Sequence, residues 1–214
     1  MYTRSSPNRA KPTLFYMIGF PGSGKTSFAS SLSASSDLLY LSADKIGIET
    51  FQELKFNDEQ RRYVLEEMDW QAENYLRDNT SIIYDANNNL LSERERLRAL
   101  AKKINADIVS VRIKTPVYVA KQRLRSIGKI GYQKFFNVTL AEKSEAYFQQ
   151  FFENFEEPGP SEQVINISGT TSPNKQLEVF QEQTGFYPVP HLTVPASGYG
   201  LLNYRLTQNS LGSR

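Results

Sequence analysis

Short apolar runs separated by stretches of helical period organise this chain. Leu14-Phe15-Tyr16-Met17-Ile18, Leu38-Leu39-Tyr40-Leu41, Ser81-Ile82-Ile83-Tyr84-Asp85, Ile108 to Ile113 and Gln163 to Ile167 read as five strands. Most are nearly continuous in apolar residues, as expected of strands covered on both faces. A helix is expected from Lys25 to about Ser33. A longer one lies within Asn57 to Asp78, where Val64, Met68, Ala72 and Leu76 recur every fourth position and form a core-facing stripe. Ser92-Glu93-Arg94-Glu95 reads as a capping box opening a helix that buries Leu97, Leu100, Ala101 and Ile104. Thr115-Pro116 fits a helix start, since proline is tolerated in the first turn, and Thr139-Leu140-Ala141-Glu142 opens another that ends before Pro158.

This alternation, from Leu14 to about Gln183, predicts an α/β fold with a parallel sheet and helices on both faces. A length of 214 residues suits one such domain. We expect a flexible basic arm at 1–12, the domain at 13–186 and an irregular tail at 187–214. Pro188, Pro190 and Pro195 break any helix in that tail, although its aromatic and aliphatic residues would let it pack against the domain or a partner.

Composition narrows the chemistry. The chain has no cysteine and one histidine, His191, which excludes disulfides, thiolate zinc sites and cysteine nucleophiles. No apolar stretch approaches the roughly 20 residues of a membrane span, so a cytoplasmic protein with no membrane partner is expected. The net charge of +2 is unevenly spread: Arg4, Arg9, Lys11, Arg205 and Arg214 lie near the termini and leave the centre mildly acidic. One segment runs the other way. Ile108 to Ala141 has no acid, while Arg112, Lys114, Lys121, Arg123, Arg125, Lys129 and Lys134 are positive, a run that fits either a bound anion or a solvated basic face.

Behind the first strand stands Gly19-Phe20-Pro21-Gly22-Ser23-Gly24-Lys25-Thr26, the pattern G-x-x-x-x-G-K-[ST]. Its glycines let backbone N–H groups close around a phosphate that no Cβ would allow so near. The expected nucleotide-binding set is Gly19, Pro21, Gly22, Ser23, Gly24, Lys25, Thr26 and Ser27, with Lys25 reaching the terminal phosphates of ATP and Thr26 on Mg²⁺. Asp85 closes an apolar strand and is the candidate second Mg²⁺ ligand. It is followed by Ala86, so the acid with which many ATPases activate water is absent. Asp44, after the second strand, is the candidate base for an acceptor hydroxyl, or else the cap of a helix starting at Lys45. Arg123 and Arg125 are candidates for offsetting charge on the transferring phosphoryl group, with Gly128 and Gly131 bounding a movable segment.

These pieces resemble the polynucleotide-kinase-like branch of small P-loop kinases, which includes 5′-hydroxyl polynucleotide kinases and zeta toxins. The resemblance runs from about Leu14 to Ile167. It rests on the glycine loop, Leu41-Ser42-Ala43-Asp44-Lys45-Ile46, Ile83-Tyr84-Asp85-Ala86-Asn87-Asn88 with Arg94, Thr115-Pro116 before the Arg123 helix, and Phe155-Glu156-Glu157-Pro158 before Glu162. It implies a P-loop NTPase three-layer sandwich with a helical lid, transferring the γ-phosphoryl group of ATP to a hydroxyl with Asp44 as base. The acceptor would be a polynucleotide 5′-hydroxyl, or a nucleotide sugar or other small molecule as in the zeta toxins. A non-catalytic ATP-binding module is the competing class. Gly47 stands where polynucleotide kinases carry a substrate-binding arginine, and Ile127 where a second lid arginine is expected, leaving Lys45, Arg125 or Lys129 as substitutes. No Asp-x-Asp-x-Thr phosphatase motif occurs, and the sequence carries no sign of oligomeric state.

Overall fold

The computed structural model describes residues 11–51, 57–127, 149 and 151–186. Five strands, β1 (Thr13–Ile18), β2 (Leu39–Ser42), β3 (Ile82–Asp85), β4 (Asp107–Lys114) and β5 (Val164–Ser168), form one parallel sheet in the order β2-β3-β1-β4-β5. β1 is central because its side chains are apolar on both faces. Leu14, Tyr16 and Ile18 enter one core layer, and Phe15 and Met17 the other.

The first layer lies under α2 (Ala43–Thr50), α3 (Asp58–Arg77) and α4 (Leu91–Ile104), and collects Ile46, Val64, Met68, Ala72, Leu76 and Leu97. The second lies under α1 (Lys25–Ala34) and α6 (Pro173–Thr184), with Phe28, Leu32 and Phe180 against Val111, Ile113 and Ile167. Each large apolar side chain removed from water contributes roughly 1.5–3 kcal/mol, and the central strand provides five of them. α1 leaves β1 toward one face and α4 leaves β3 toward the other. The crevice between them opens at the carboxyl edge, where ligands bind in open α/β sheets.

The four-residue stripe of α3 is buried as its spacing requires. Two caps differ from the sequence expectation. The N-cap of α2 is Ser42, whose hydroxyl accepts from Lys45 N at 3.4 Å, so Asp44 is the second helical residue and not the cap. α4 starts at Leu91, before Ser92; Glu93 reaches back to Leu90 N at 3.5 Å, but leucine has no acceptor to complete a reciprocal box. α6 is a helix that the strand and helix pattern left unnamed. Ser172 caps it, Pro173 occupies its first turn, and Gly185 ends it in the left-handed conformation. The expected basic arm but for its last two residues, Gly128 to Gly131, most of the helix from Thr139, and the tail at 187–214 lie outside the described residues.

Candidate active site

The glycine loop spans the gap between β1 and α1. Gly19 and Gly22 have φ of 147° and 78°, a region that other residues rarely adopt. Space also excludes a side chain at both. A Cβ on Gly22 would lie 2.4 Å from Ala120 O in α5 (Val117–Ile127), and one on Gly19 would lie 2.9 Å from Ile113 O. The loop thus rests directly on β4 and α5.

The first backbone bond of α1 runs from Phe28 N to Gly24 O at 2.9 Å. The N–H groups of Lys25, Thr26 and Ser27 precede that ladder and point out of the helix start, where the macrodipole also favours an anion. Lys25 Nζ donates to Gly19 O at 2.7 Å and to Phe20 O at 3.1 Å, folding its ammonium over the loop. Burial pulls its pKa below the ordinary lysine value, and the carboxylates of Asp85 and Asp44 offset part of that. Pro21 and Ser27 lie within the same loop and first turn. Ser23 Oγ is buried with no hydrogen-bond partner among the described residues.

β3 brings Asp85 to the same edge. Its carboxylate accepts from Tyr40 at 2.8 Å and from the Thr26 hydroxyl. Burial pushes its pKa above the usual carboxylate range, against the Tyr40 and Thr26 hydrogen bonds and the Lys25 charge, which lower it. Asp44, in the first turn of α2, reaches solvent at the mouth of the crevice. The surrounding protein raises its pKa first by burial and then through Asp85, while Lys25 lowers it. Lys25, Asp44, Asp85 and Thr26 therefore form one electrostatic group, although they come from three different strand ends.

The arginines behave differently. Arg123 donates from Nη1 to Ser23 O at 3.2 Å and from Nη2 to Gly169 O at 2.8 Å, so its guanidinium ties α5 to the glycine loop and to the β5–α6 turn. Arg125, two residues on, is exposed. Lys45 is exposed and pairs with Glu49 at 3.9 Å on the outer side of α2.

Sequence reading missed three contributors to this edge. Tyr40 is one; a hydroxyl within the apolar run of β2 was its signal. Asn89 is the second. Its Oδ1 accepts from Gly19 N at 3.0 Å and its Nδ2 donates to Gly19 O at 3.2 Å. The third is the pairing of Arg94 with Glu162, buried to 1 % and 3 % side-chain exposure. Arg94 Nη1 also donates to Asn89 O at 2.8 Å, and Phe20 stacks on Phe152 and packs at a tilt against Phe155, which leads the chain toward Glu162.

Left-handed glycines, a helix start whose first N–H groups precede the helical ladder and an ammonium held over the loop by two carbonyls fit a nucleotide phosphate. A hydroxyl and one carboxylate, Thr26 and Asp85, fit Mg²⁺, which takes few protein ligands and completes its shell with water and phosphate oxygens. No cluster of three or more His, Cys, Asp or Glu that could hold a metal occurs among the described residues, and no helix among them is long and apolar enough to cross a membrane.

The same fold occurs in solved kinase structures. A sugar kinase from Janibacter sp. HTCC2649 superposes with a TM-score of 0.60 at 18 % identity, covering 84 % of this chain and 97 % of that one. The APS kinase of Mycobacterium tuberculosis, in complex with AMPPNP and APS, gives 0.61 at 17 % identity, covering 82 % and 99 %. A gluconokinase from Sinorhizobium meliloti 1021 gives 0.55 at 14 % identity, covering 82 % and 93 %. No curated protein matches by sequence. The architecture is thus a P-loop NTPase-like α/β fold, and residues 14–157, which hold the glycine loop, Asp44, Asp85 and Arg123, match the AAA domain model, so the chain belongs to the AAA domain family.

Proposed function

We propose that this protein is an ATP-dependent kinase that transfers the γ-phosphoryl group to a hydroxyl of a small-molecule acceptor. The observation that carries the reading is the convergence of Asp44, Lys25 and Asp85 at one sheet edge, where both carboxylates act on Lys25 and both Lys25 and Asp85 act on Asp44. The loop N–H groups and Lys25 would hold the ATP phosphates, and Thr26 and Asp85 would hold Mg²⁺, which supplies charge neutralisation on the phosphate oxygens. Asp44 accepts the proton of the acceptor hydroxyl as its oxygen bonds to the γ-phosphorus and the bridging bond to ADP breaks. The task needs the ionised form, which Lys25 and the dipole of α2 favour and which burial and Asp85 oppose. Arg123 and Arg125 are the proposed charge-offsetting arginines, with the 13–186 span as the kinase domain.

Two observations support a small acceptor over a polynucleotide end. Gly47 offers no guanidinium where a substrate phosphate would need one, and Lys45 is turned outward to Glu49. Within the acid-free segment, Arg112 is paired with Glu157 and Arg123 with backbone carbonyls, so part of its charge serves the fold.

The test is transfer from γ-labelled ATP to a panel of sugars, nucleosides and 5′-hydroxyl oligonucleotides. Labelling of a sugar or nucleoside is expected. Labelling of oligonucleotides alone, weakening steeply with salt, would replace this reading with the polynucleotide one. Tight ATP binding without transfer to any acceptor would leave the non-catalytic module.

A further inference from the structure

We infer that Asn89 is a positioning residue for Lys25, acting through the backbone of Gly19. The inference rests on the nucleotide-binding reading of the loop and adds to it a residue outside the glycine motif.

β1 ends its ladder with β4 at Ile18 opposite Arg112, so the next N–H, that of Gly19, has no strand partner. The Asn89 amide supplies one. Its two bonds to buried Gly19, at 3.0 and 3.2 Å, satisfy the N–H and the carbonyl of that residue, which belong to the peptide groups on either side of its Cα. Only a primary amide offers an acceptor and a donor on one fork: aspartate lacks the donor, and leucine, of similar shape, lacks both. The same carbonyl accepts from Lys25 Nζ at 2.7 Å. Asn89 therefore fixes the direction of the group from which the ammonium must swing toward a phosphate.

Asn89 is itself held. Its carbonyl accepts from Arg94 Nη1 at 2.8 Å and from Glu156 N at 3.1 Å, and Arg94 is gripped by Glu162. Asn89 is 3 % exposed, so water cannot replace its bonds to Gly19. Gly19, at φ 147°, meets the side-chain amide of Asn89, while Arg94 and Glu156 N hold the main-chain carbonyl of the same asparagine. Losing the side-chain amide releases the Gly19 carbonyl to rotate with the ammonium attached. A one-ångström error in such a group is enough to cost a large factor in phosphate binding.

The test compares ATP and AMP affinities of the full chain, measured by displacement of a fluescent ATP analogue, in wild type, Asn89→Leu, Asn89→Asp and Lys25→Ala, with the Lys25→Ala/Asn89→Leu double variant. Lys25 serves the terminal phosphates, so mispositioning it lowers the preference for ATP over AMP, whereas general loosening of the fold lowers both affinities alike. We expect Asn89→Leu and Asn89→Asp each to reduce the ATP-to-AMP preference about tenfold, and Asn89→Leu to have no further effect once Lys25 is alanine. An unchanged preference in Asn89 variants that melt cooperatively, or an equal loss in the Lys25→Ala background, overturns the inference. Absence of ATP binding by wild type itself would instead remove the nucleotide-binding reading beneath it. If Asn89→Leu fails to fold, Asn89→Asp, which keeps the shape and the acceptor, carries the same test.

Discussion

The guanidinium of Arg94 binds both carboxylate oxygens of Glu162, Nε to Oε2 at 2.9 Å and Nη2 to Oε1 at 3.3 Å, across 68 residues of chain. Both side chains are buried, and Gly159 N and the Tyr16 hydroxyl bond to the same carboxylate. Removing Glu162 leaves Arg94 charged in the interior without its carboxylate, which costs far more than losing a surface pair. Glu162→Gln should therefore lower unfolding free energy by about 3 kcal/mol in urea denaturation. A change under 1 kcal/mol would mean that water reaches Arg94 in solution.

Acid should expose the same pair. Burial raises the Glu162 pKa, but hydrogen bonds from Arg94 and Gly159 N and the charges of Arg94 and Arg98 outweigh it and leave it below the ordinary value of 4.5. A carboxylate with a depressed folded-state pKa contributes stability that is complete above 4.5 and is lost as pH falls through the lower folded value. Thermal melts from pH 6 to pH 3 should fall more steeply in wild type than in Glu162→Gln. Parallel curves would assign the acid sensitivity to other carboxylates.

Asp44→Asn keeps the size of the side chain and removes its ability to take a proton. Turnover in the transfer assay should fall about 10²- to 10⁴-fold with ATP affinity changed less than threefold. In wild type the acid limb of turnover should lie above the ordinary carboxylate value, because burial and Asp85 favour the protonated form of Asp44. Full turnover by the variant would remove Asp44 from the chemistry.

Gly22→Ala places a methyl group 2.4 Å from Ala120 O at a φ of 78°. Strain and overlap together should destabilise the fold by about 2 kcal/mol or more and weaken nucleotide binding at least tenfold. Differential scanning fluorimetry with and without ATP reads both effects. A normal melt with a normal ATP shift would show that α5 yields at this contact.

Arg123→Ala breaks bonds to Ser23 O and Gly169 O, whereas Arg125→Ala removes an exposed side chain. The first should lower stability by about 1–2 kcal/mol, because two buried carbonyls lose a charged donor, and the second by under 0.5 kcal/mol. Melting curves of the two variants check the difference; equal losses would contradict the tether.

Local patterns were legible where a few neighbouring residues decide the outcome. The apolar run of β1, the glycine loop behind it and the four-residue stripe of α3 follow from period and backbone sterics alone. The cap of α2 shifted because Ser42 and Asp44 are both good capping residues, and Ser42, paired with Asp85 at the end of β2, is the one at the strand-to-helix junction. α6 carried a readable signal in Ser172-Pro173 and Gly185. The clamp of Asn89 on Gly19, the Tyr40–Asp85 bond and the Arg94–Glu162 pair were not readable. Each joins residues 45 or more positions apart, and no local pattern records which distant donor an acceptor will meet.

A side chain on Gly22 would run into α5, so its absence serves the joint between loop and helix as well as ligand approach. Selection for that joint is independent of catalysis. A descendant of this chain that lost its base and turned over nothing would still be obliged to keep the glycine for as long as α5 stayed seated. The motif that announces a nucleotide can therefore outlive the activity, and inheritance at positions 22, 120 and 124 should run together, apart from that at position 44.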